Sequence, residues 1–151
     1  MEEYKIRKVE EKDIERIWEI RNHEMVRKHS GNQEIISWEN HQKWFYKRYF
    51  ENKNNFCYVL KDKKNIAGYC RFDYDKEEKA YVVSIAINPE NQSKGLGSQL
   101  LSQSLKKLRN KKNIPVLAEI KKDNATSIKL FERNDFKKYK ESKNVCYYWK
   151  T

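Results

Sequence analysis

The run YVVSIAINPENQSKGLGSQLLSQSLKKL, residues 81–108, constrains this chain more than any other part of it. Its first seven positions are β-branched, aromatic or small on both faces. Tyr81, Val83, Ile85 and Ile87 fall on one side and Val82, Ser84 and Ala86 on the other. A strand of that kind belongs in the middle of a sheet covered on both sides. Pro89 has no N–H to give a ladder and pushes Asn88 towards an extended conformation, so pairing ends there. Gln92, Ser93, Lys94, Gly95, Leu96, Gly97 and Ser98 follow, and leucines at 96, 100, 101, 105 and 108 repeat with the period of a helix. The turn therefore opens directly into a helix N-terminus.

That end of a helix carries backbone N–H groups without intrahelical partners and the positive end of the peptide dipoles. Gly95 and Gly97 lack a Cβ, so phosphate oxygens can approach the backbone, and Lys94 adds a full charge. Relief of crowding in a tight turn would also explain the glycines. However, two of the chain's four glycines fall within these three positions, and the strand–turn–helix setting agrees with an anion site. A Walker loop, G-x-x-x-x-G-K-(S/T), does not fit because Lys94 precedes the glycines. A dinucleotide fingerprint needs a third glycine and a distant acidic residue.

The run Q-x-x-G-x-G after a strand resembles the acetyl-coenzyme A signature of the GNAT superfamily of N-acetyltransferases. The resemblance implies acetyl-CoA as cofactor. It also implies that the backbone around Ser93, Lys94, Gly95, Leu96, Gly97 and Ser98, with Gln92, cradles the pyrophosphate. The preceding strand edge at Ile85, Ala86 and Ile87 would pair with the pantetheine arm like an added strand.

The rest of the chain follows a compatible order. Residues 4–9 alternate as a strand, an acidic start at 10–13 leads into a helix carrying Ile14, Ile17, Trp18 and Arg21, and 22–33 is a polar loop with room for a short helix at 24–28. Ser37 is a helix cap before Trp38, His41, Trp44, Phe45 and Tyr49. Strands at 56–60 and 66–73 join through the polar hairpin 61–65, and a charged turn at 75–79 leads into the central strand. A short strand at 116–120 follows the leucine helix. The connection between it and the central strand is long enough to be that helix, so these two strands are expected to be parallel. Asn124 caps a helix with Ile128, Leu130 and Phe131 inward, and strands at 136–139 and 145–149 end the chain. This predicts an α/β fold with a mixed sheet of about seven strands and about four flanking helices, in the order of the GNAT fold.

A length of 151 residues suits one domain, 1–151. The formal charge of +11 favours a polyanionic partner, whether nucleic acid, membrane phosphates or a phosphorylated small molecule, unless it is merely a lysine-rich surface. The lysines are spread along every segment, which argues against a nucleic-acid-binding module. Cys57, Cys70 and Cys146 are odd in number and lack C-x-x-C spacing, so neither a disulfide framework nor a metal site is expected. There is no apolar signal region and no run long enough to span a membrane, and a cytoplasmic monomer or homodimer is expected.

The resemblance extends to residues 124–136, which match the family's N-x-x-(A/S)-I-x-L-Y-E-x-x-G-F. It implies that Asn124, Ser127 and Phe131 border the cofactor. The tyrosine that in many members protonates the leaving thiolate is Phe131 here, so that proton must come from elsewhere. Asp135 replaces the glycine and tolerates the left-handed conformation better than most residues.

Acetyl transfer from a thioester to nitrogen needs a neutral amine, donors facing a developing oxyanion, and a base. Backbone N–H groups near residues 85–87 can be the donors. Glu119 is an acidic residue in an otherwise apolar strand. Half-buried, its pKa would rise towards that of a useful base, whereas facing outward it would simply pair with a lysine. It also matches the strand glutamate that serves as base in ribosomal-protein alanine acetyltransferases. Ser84 is a second candidate, holding a water in the same cleft. Residues 20–45 resemble the R-N…V-R…I-S-x-x-x-H-x-x-W-F start of enzymes that acetylate nucleotide-linked 4-amino sugars, of the pseudaminic acid type. That resemblance implies a small-molecule amine, a nucleotide-linked amino sugar, held by Arg21, Asn22, His23 and Arg27, with Trp44 stacking on a ring. The spacing of His41, Trp44 and Phe45 also fits a plain packing face. A protein N-terminal acetyltransferase is the rival reading.

Overall fold

Residues 80–87 do run through the middle of a sheet, and the chain is arranged on either side of them. The computed structural model describes residues 3–92 and 95–151. Its elements are β1 (Lys5–Lys8), α1 (Ile14–Asn22), α2 (Glu24–Lys28), α3 (Trp38–Tyr46), β2 (Phe56–Lys61), β3 (Ile66–Asp75), β4 (Ala80–Ile87), α4 (Leu96–Arg109), β5 (Val116–Lys121), α5 (Ala125–Arg133), β6 (Lys137–Glu141) and β7 (Val145–Lys150). The strands form one mixed sheet in the order β1-β2-β3-β4-β5-β7-β6. All neighbours are antiparallel except β4 and β5, which are parallel as the helical crossover requires.

The two faces of the sheet bury different clusters. Leu96, Leu100, Leu101, Leu105 and Leu108 of α4, with Phe131 of α5, pack onto Tyr58, Phe72, Tyr81, Val83, Ala118 and Ile120. Ile14, Ile17 and Ile20 of α1, with Phe45 and Tyr49, pack onto Cys57, Val59 and Tyr69. All three cysteines are free and buried. Local chemistry sets the ends of the elements. Ser37 accepts the Asn40 N–H at 3.2 Å and Asn124 the Ser127 N–H at 3.2 Å, each capping its helix. Asp135 adopts φ 67°, the left-handed turn expected of it. The short helix α2 falls at Glu24–Lys28, where the sequence left room for one, and brings the α-helices among the described residues to five against the about four expected. It buries no residue, so no apolar stripe marks it in the sequence.

One break in the sheet positions everything that follows. β4 pairs with β3 along its whole length, from Ala80 to Ile87. Against β5 it pairs only at Tyr81 with Val116 and Val82 with Leu117. Beyond residue 82 the two parallel strands part, leaving the β5-facing edge of β4 without a strand partner. Gly68 allows the tight contact on the other side of β4, where a Cβ would meet the Ala86 carbonyl oxygen and Ile87 Cδ1 at 2.7 Å.

Candidate active site

The gap between β4 and β5 opens into two connected spaces. The first is a cleft of about 460 Å³ lined by Ile85, Ala86, Ile87, Gln92, Gly95, Leu96, Gly97, Ser98, Asn124, Ser127, Leu130 and Arg133, among others. It brings together every cofactor position named from the sequence except three. Phe131 lines the adjoining space, while Ser93 and Lys94 lie outside the described residues. Gly95 is the N-cap of α4 with φ 72°, a left-handed conformation, and among the described residues no side chain caps the helix. Such first-turn amides suit an anionic ligand. A Cβ at Gly97 would sit 3.5 Å from Leu130 Cδ2 and 3.9 Å from Ile87 Cγ1, both cleft residues, so the missing methyl keeps the amide face open. Gln92 Nε2 donates to the Ile87 carbonyl at 3.2 Å, tying the loop to the end of the strand. These features fit a coenzyme A pyrophosphate at 95–98 and an extended pantetheine along the free edge of β4, with Arg133 as a further cation on the wall.

The second space, of about 290 Å³, shares Val26, His29, Ile85, Asn124 and Ser127 with the first. Its walls include Arg21, Arg27, Tyr69, Arg71, Ser84, Glu119 and Lys121. Ser84 sits opposite Arg71 and Ala86 opposite Tyr69 in the β3–β4 register. Alternation places Ser84 and Glu119 on the sheet face covered by α1 and α3, the face away from the leucine helix. Glu119 is exposed rather than half-buried. It is the open mouth of the split sheet, and not an apolar wall, that surrounds it. Phe131 is buried and meets Phe136 edge-on at 4.9 Å. It brings no hydroxyl to the site. The phenol on this wall is Tyr69, whose pKa burial pushes up.

The residues named for acceptor binding separate into two groups. Arg21 and Arg27 line the second space, but Arg27 is already engaged, with Nε on the Asn22 carbonyl at 2.9 Å and Nη1 on the Gln33 carbonyl at 3.0 Å. Asn22 and His23 serve the backbone. Asn22 bonds both the N–H and the carbonyl of Ile36, and His23 Nδ1 accepts the Met25 N–H. The Trp44 ring is covered by guanidinium groups of Arg21, Arg48 and Arg71, 4.5 to 5.5 Å from its centroid. His41 belongs to the packing face. It is buried, 3.2 Å from the Ile14 carbonyl, and burial together with Arg21 lowers its pKa to about 4.

Sequence reasoning missed Arg71, Asp73 and Tyr49. Tyr49 donates to Asp73 at 2.6 Å, and Arg71 donates to Tyr49 at 2.8 Å and to Asp73 at 3.1 Å. Burial opposes the charge on Arg71, but Tyr49 and Asp73 outweigh it and hold its pKa above the ordinary value. The available signal was the alternation of Tyr69, Arg71 and Asp73, which puts charged groups on an inward face.

The model of the acetyltransferase (GNAT) family matches residues 14–136. No curated protein matches the chain. Among solved structures, yncA of Salmonella typhimurium, solved with acetyl-CoA as its cofactor, superposes with TM-score 0.83 at 21% identity over 98% of this chain and 93% of that one. A ribosomal-protein-alanine N-acetyltransferase of Brucella melitensis gives 0.83 at 19% over 97% and 98%. A point variant of the spermidine N-acetyltransferase of Vibrio cholerae gives 0.79 at 18% over 97% and 92%. Identities this low speak for the fold, whereas the family model covers most of the chain. The chain belongs to the acetyltransferase (GNAT) family and is an acetyl-CoA-dependent N-acetyltransferase.

Proposed function

We propose that the acceptor is a primary amine on a nucleotide-linked amino sugar, and that it enters the second space to meet the acetyl group at the gap between β4 and β5. The observation that carries this reading is the junction itself: the cofactor cleft and the charged space share a wall just where β4 loses its partner strand. Acetyl-CoA, when bound, supplies the thioester carbonyl. The free edge of β4 around residues 85–87 offers N–H groups to the oxygen that gains charge, in a niche with fewer waters to compete. Glu119 takes the proton from the ammonium group of the acceptor, directly or through a water held by Ser84. Its exposure suits a base that must pass the proton on to solvent. Transfer is direct, with no acyl-enzyme.

The sugar reading is supported by the sequence resemblance of residues 20–45 and by the lining charges, Arg21, Arg27, Arg71 and Lys121 against Glu34 and Glu119. Thiol release from acetyl-CoA, measured with nucleotide-linked 4-amino sugars, N-terminal peptides and spermidine in parallel, tests it. Turnover with the sugar nucleotides alone is the expected result. Turnover confined to peptides or to spermidine overturns the acceptor assignment.

A further inference from the structure

Three guanidinium groups gather on one indole. The carbons of Arg21, Arg71 and Arg48 lie 4.5, 5.2 and 5.5 Å from the Trp44 centroid. Each gains from the negative face of the ring, but together they crowd like charges, and burial and the neighbouring Arg71 both lower the Arg21 pKa. Among the described residues a single carboxylate compensates them. Asp73 lies 3.1 Å from Arg48 and 3.1 Å from Arg71. Arg21 finds only His41 Nδ1, at 3.4 Å, on a ring that is neutral near pH 7. The Arg71 Nε is buried without a hydrogen-bond partner. Arg21 and Arg71 wall the acceptor space. Arg48 does not; its side chain is 40% exposed, and its Nε, also buried without a hydrogen-bond partner, lies 3.1 Å from Asp73 Oδ1.

Among the described residues only Asp73 lies within ion-pair distance of these cations, and the two that wall the cavity are Arg21, which contacts no carboxylate, and Arg71, whose Nε has no hydrogen-bond partner. We infer that Arg21 and Arg71 bind a phosphoryl or diphosphoryl group of the acceptor, with Trp44 as the plate that fixes both guanidiniums. A carboxylate would balance one charge. The diphosphate of a nucleotide-linked sugar carries one negative charge on each phosphate, and its oxygens match the planar donor fork of arginine. The same charges repel a polyamine. The inference rests on the reading that this space receives the acceptor, and it moves the anion contact from the Arg21 and Arg27 expected from the sequence to Arg21 and Arg71, a pair joined across the sheet and α1.

Inorganic pyrophosphate is the probe, titrated calorimetrically into the full chain already saturated with coenzyme A so that the cleft at Gly95 is filled. Binding of one pyrophosphate per chain is expected, weakened at least about tenfold in Arg21→Gln, with the melting-temperature rise from coenzyme A unchanged. Arg71→Lys keeps the charge beside Asp73 and loses the fork, so it should fold and also weaken pyrophosphate. Acetate at the same concentration should not compete. No binding in the presence of coenzyme A, equal binding in both variants, which would mean an adventitious ion only, or displacement by acetate would overturn the inference. If coenzyme A itself fails to bind, the acetyl-transfer reading falls, and the comparison of wild type with Arg21→Gln still decides the anion site.

Discussion

Gly95 and Gly97 stand two residues apart, and their alanine variants should move stability in opposite directions while harming cofactor binding alike. Gly95 has φ 72° and nothing within 4 Å of a built Cβ. Gly95→Ala therefore meets no clash and costs only the left-handed conformation, about 1 kcal/mol. For a chain of this size that lowers the melting temperature by roughly 2–4 °C. Gly97 lies inside the first turn of α4, and its Cβ would make ordinary contact with Leu130 at 3.5 Å. Alanine there gains up to about 1 kcal/mol of helix propensity, so the free protein should melt slightly higher. If phosphate docks on these amides, either added methyl should hinder its approach to the backbone. At acetyl-CoA about 100-fold above Kd the wild type gains about 2.7 kcal/mol. A tenfold loss of affinity leaves about 1.4 kcal/mol, so the ligand-induced shift should halve. Differential scanning fluorimetry with and without acetyl-CoA reads both numbers. A Gly97→Ala protein that melts higher and keeps the full increment would refute the docking of phosphate on these amides.

Other changes follow from the same geometry. Glu119→Gln should reduce turnover by about 10²–10⁴-fold with the acetyl-CoA increment intact, and an unchanged pH–rate profile would remove Glu119 as base. His41 titrates near 4 when folded against 6.5 for the free side chain. The unfolded chain binds more protons between those values, so stability is full above about pH 6.5 and falls towards pH 4 by roughly 3 kcal/mol. Urea midpoints across that range should show the slope, and His41→Asn should flatten it. Gly68→Ala puts a methyl 2.7 Å from the Ala86 carbonyl oxygen and should cost about 1–3 kcal/mol. A urea midpoint equal to that of the wild type would mean that β3 and β4 yield freely there.

Much of this architecture was legible because the chemistry is local. A strand apolar on both faces, a proline, two glycines and a leucine stripe dictate their own succession, and Ser37, Asn124 and Asp135 act within three residues of themselves. The candidate acceptor site was less legible because it is assembled across the fold. Trp44 could be recognised as an aromatic group beside a basic segment, but that its ring is covered by Arg21, Arg48 and Arg71 depends on α1, α3 and β3 meeting. Glu119 was legible as an acidic residue in an otherwise apolar strand. Its exposure depends on β4 and β5 parting after residue 82, which no pattern in either strand announces.

Hydrogen exchange of the backbone amides, with and without acetyl-CoA, measures the central claim most directly. The account predicts slowed exchange at residues 96–98, where α4 begins, and at those amides of 85–87 that point to the edge of β4 left unpaired by β5, with little change in β1 or β6. Tight binding of acetyl-CoA without protection at either segment would contradict it.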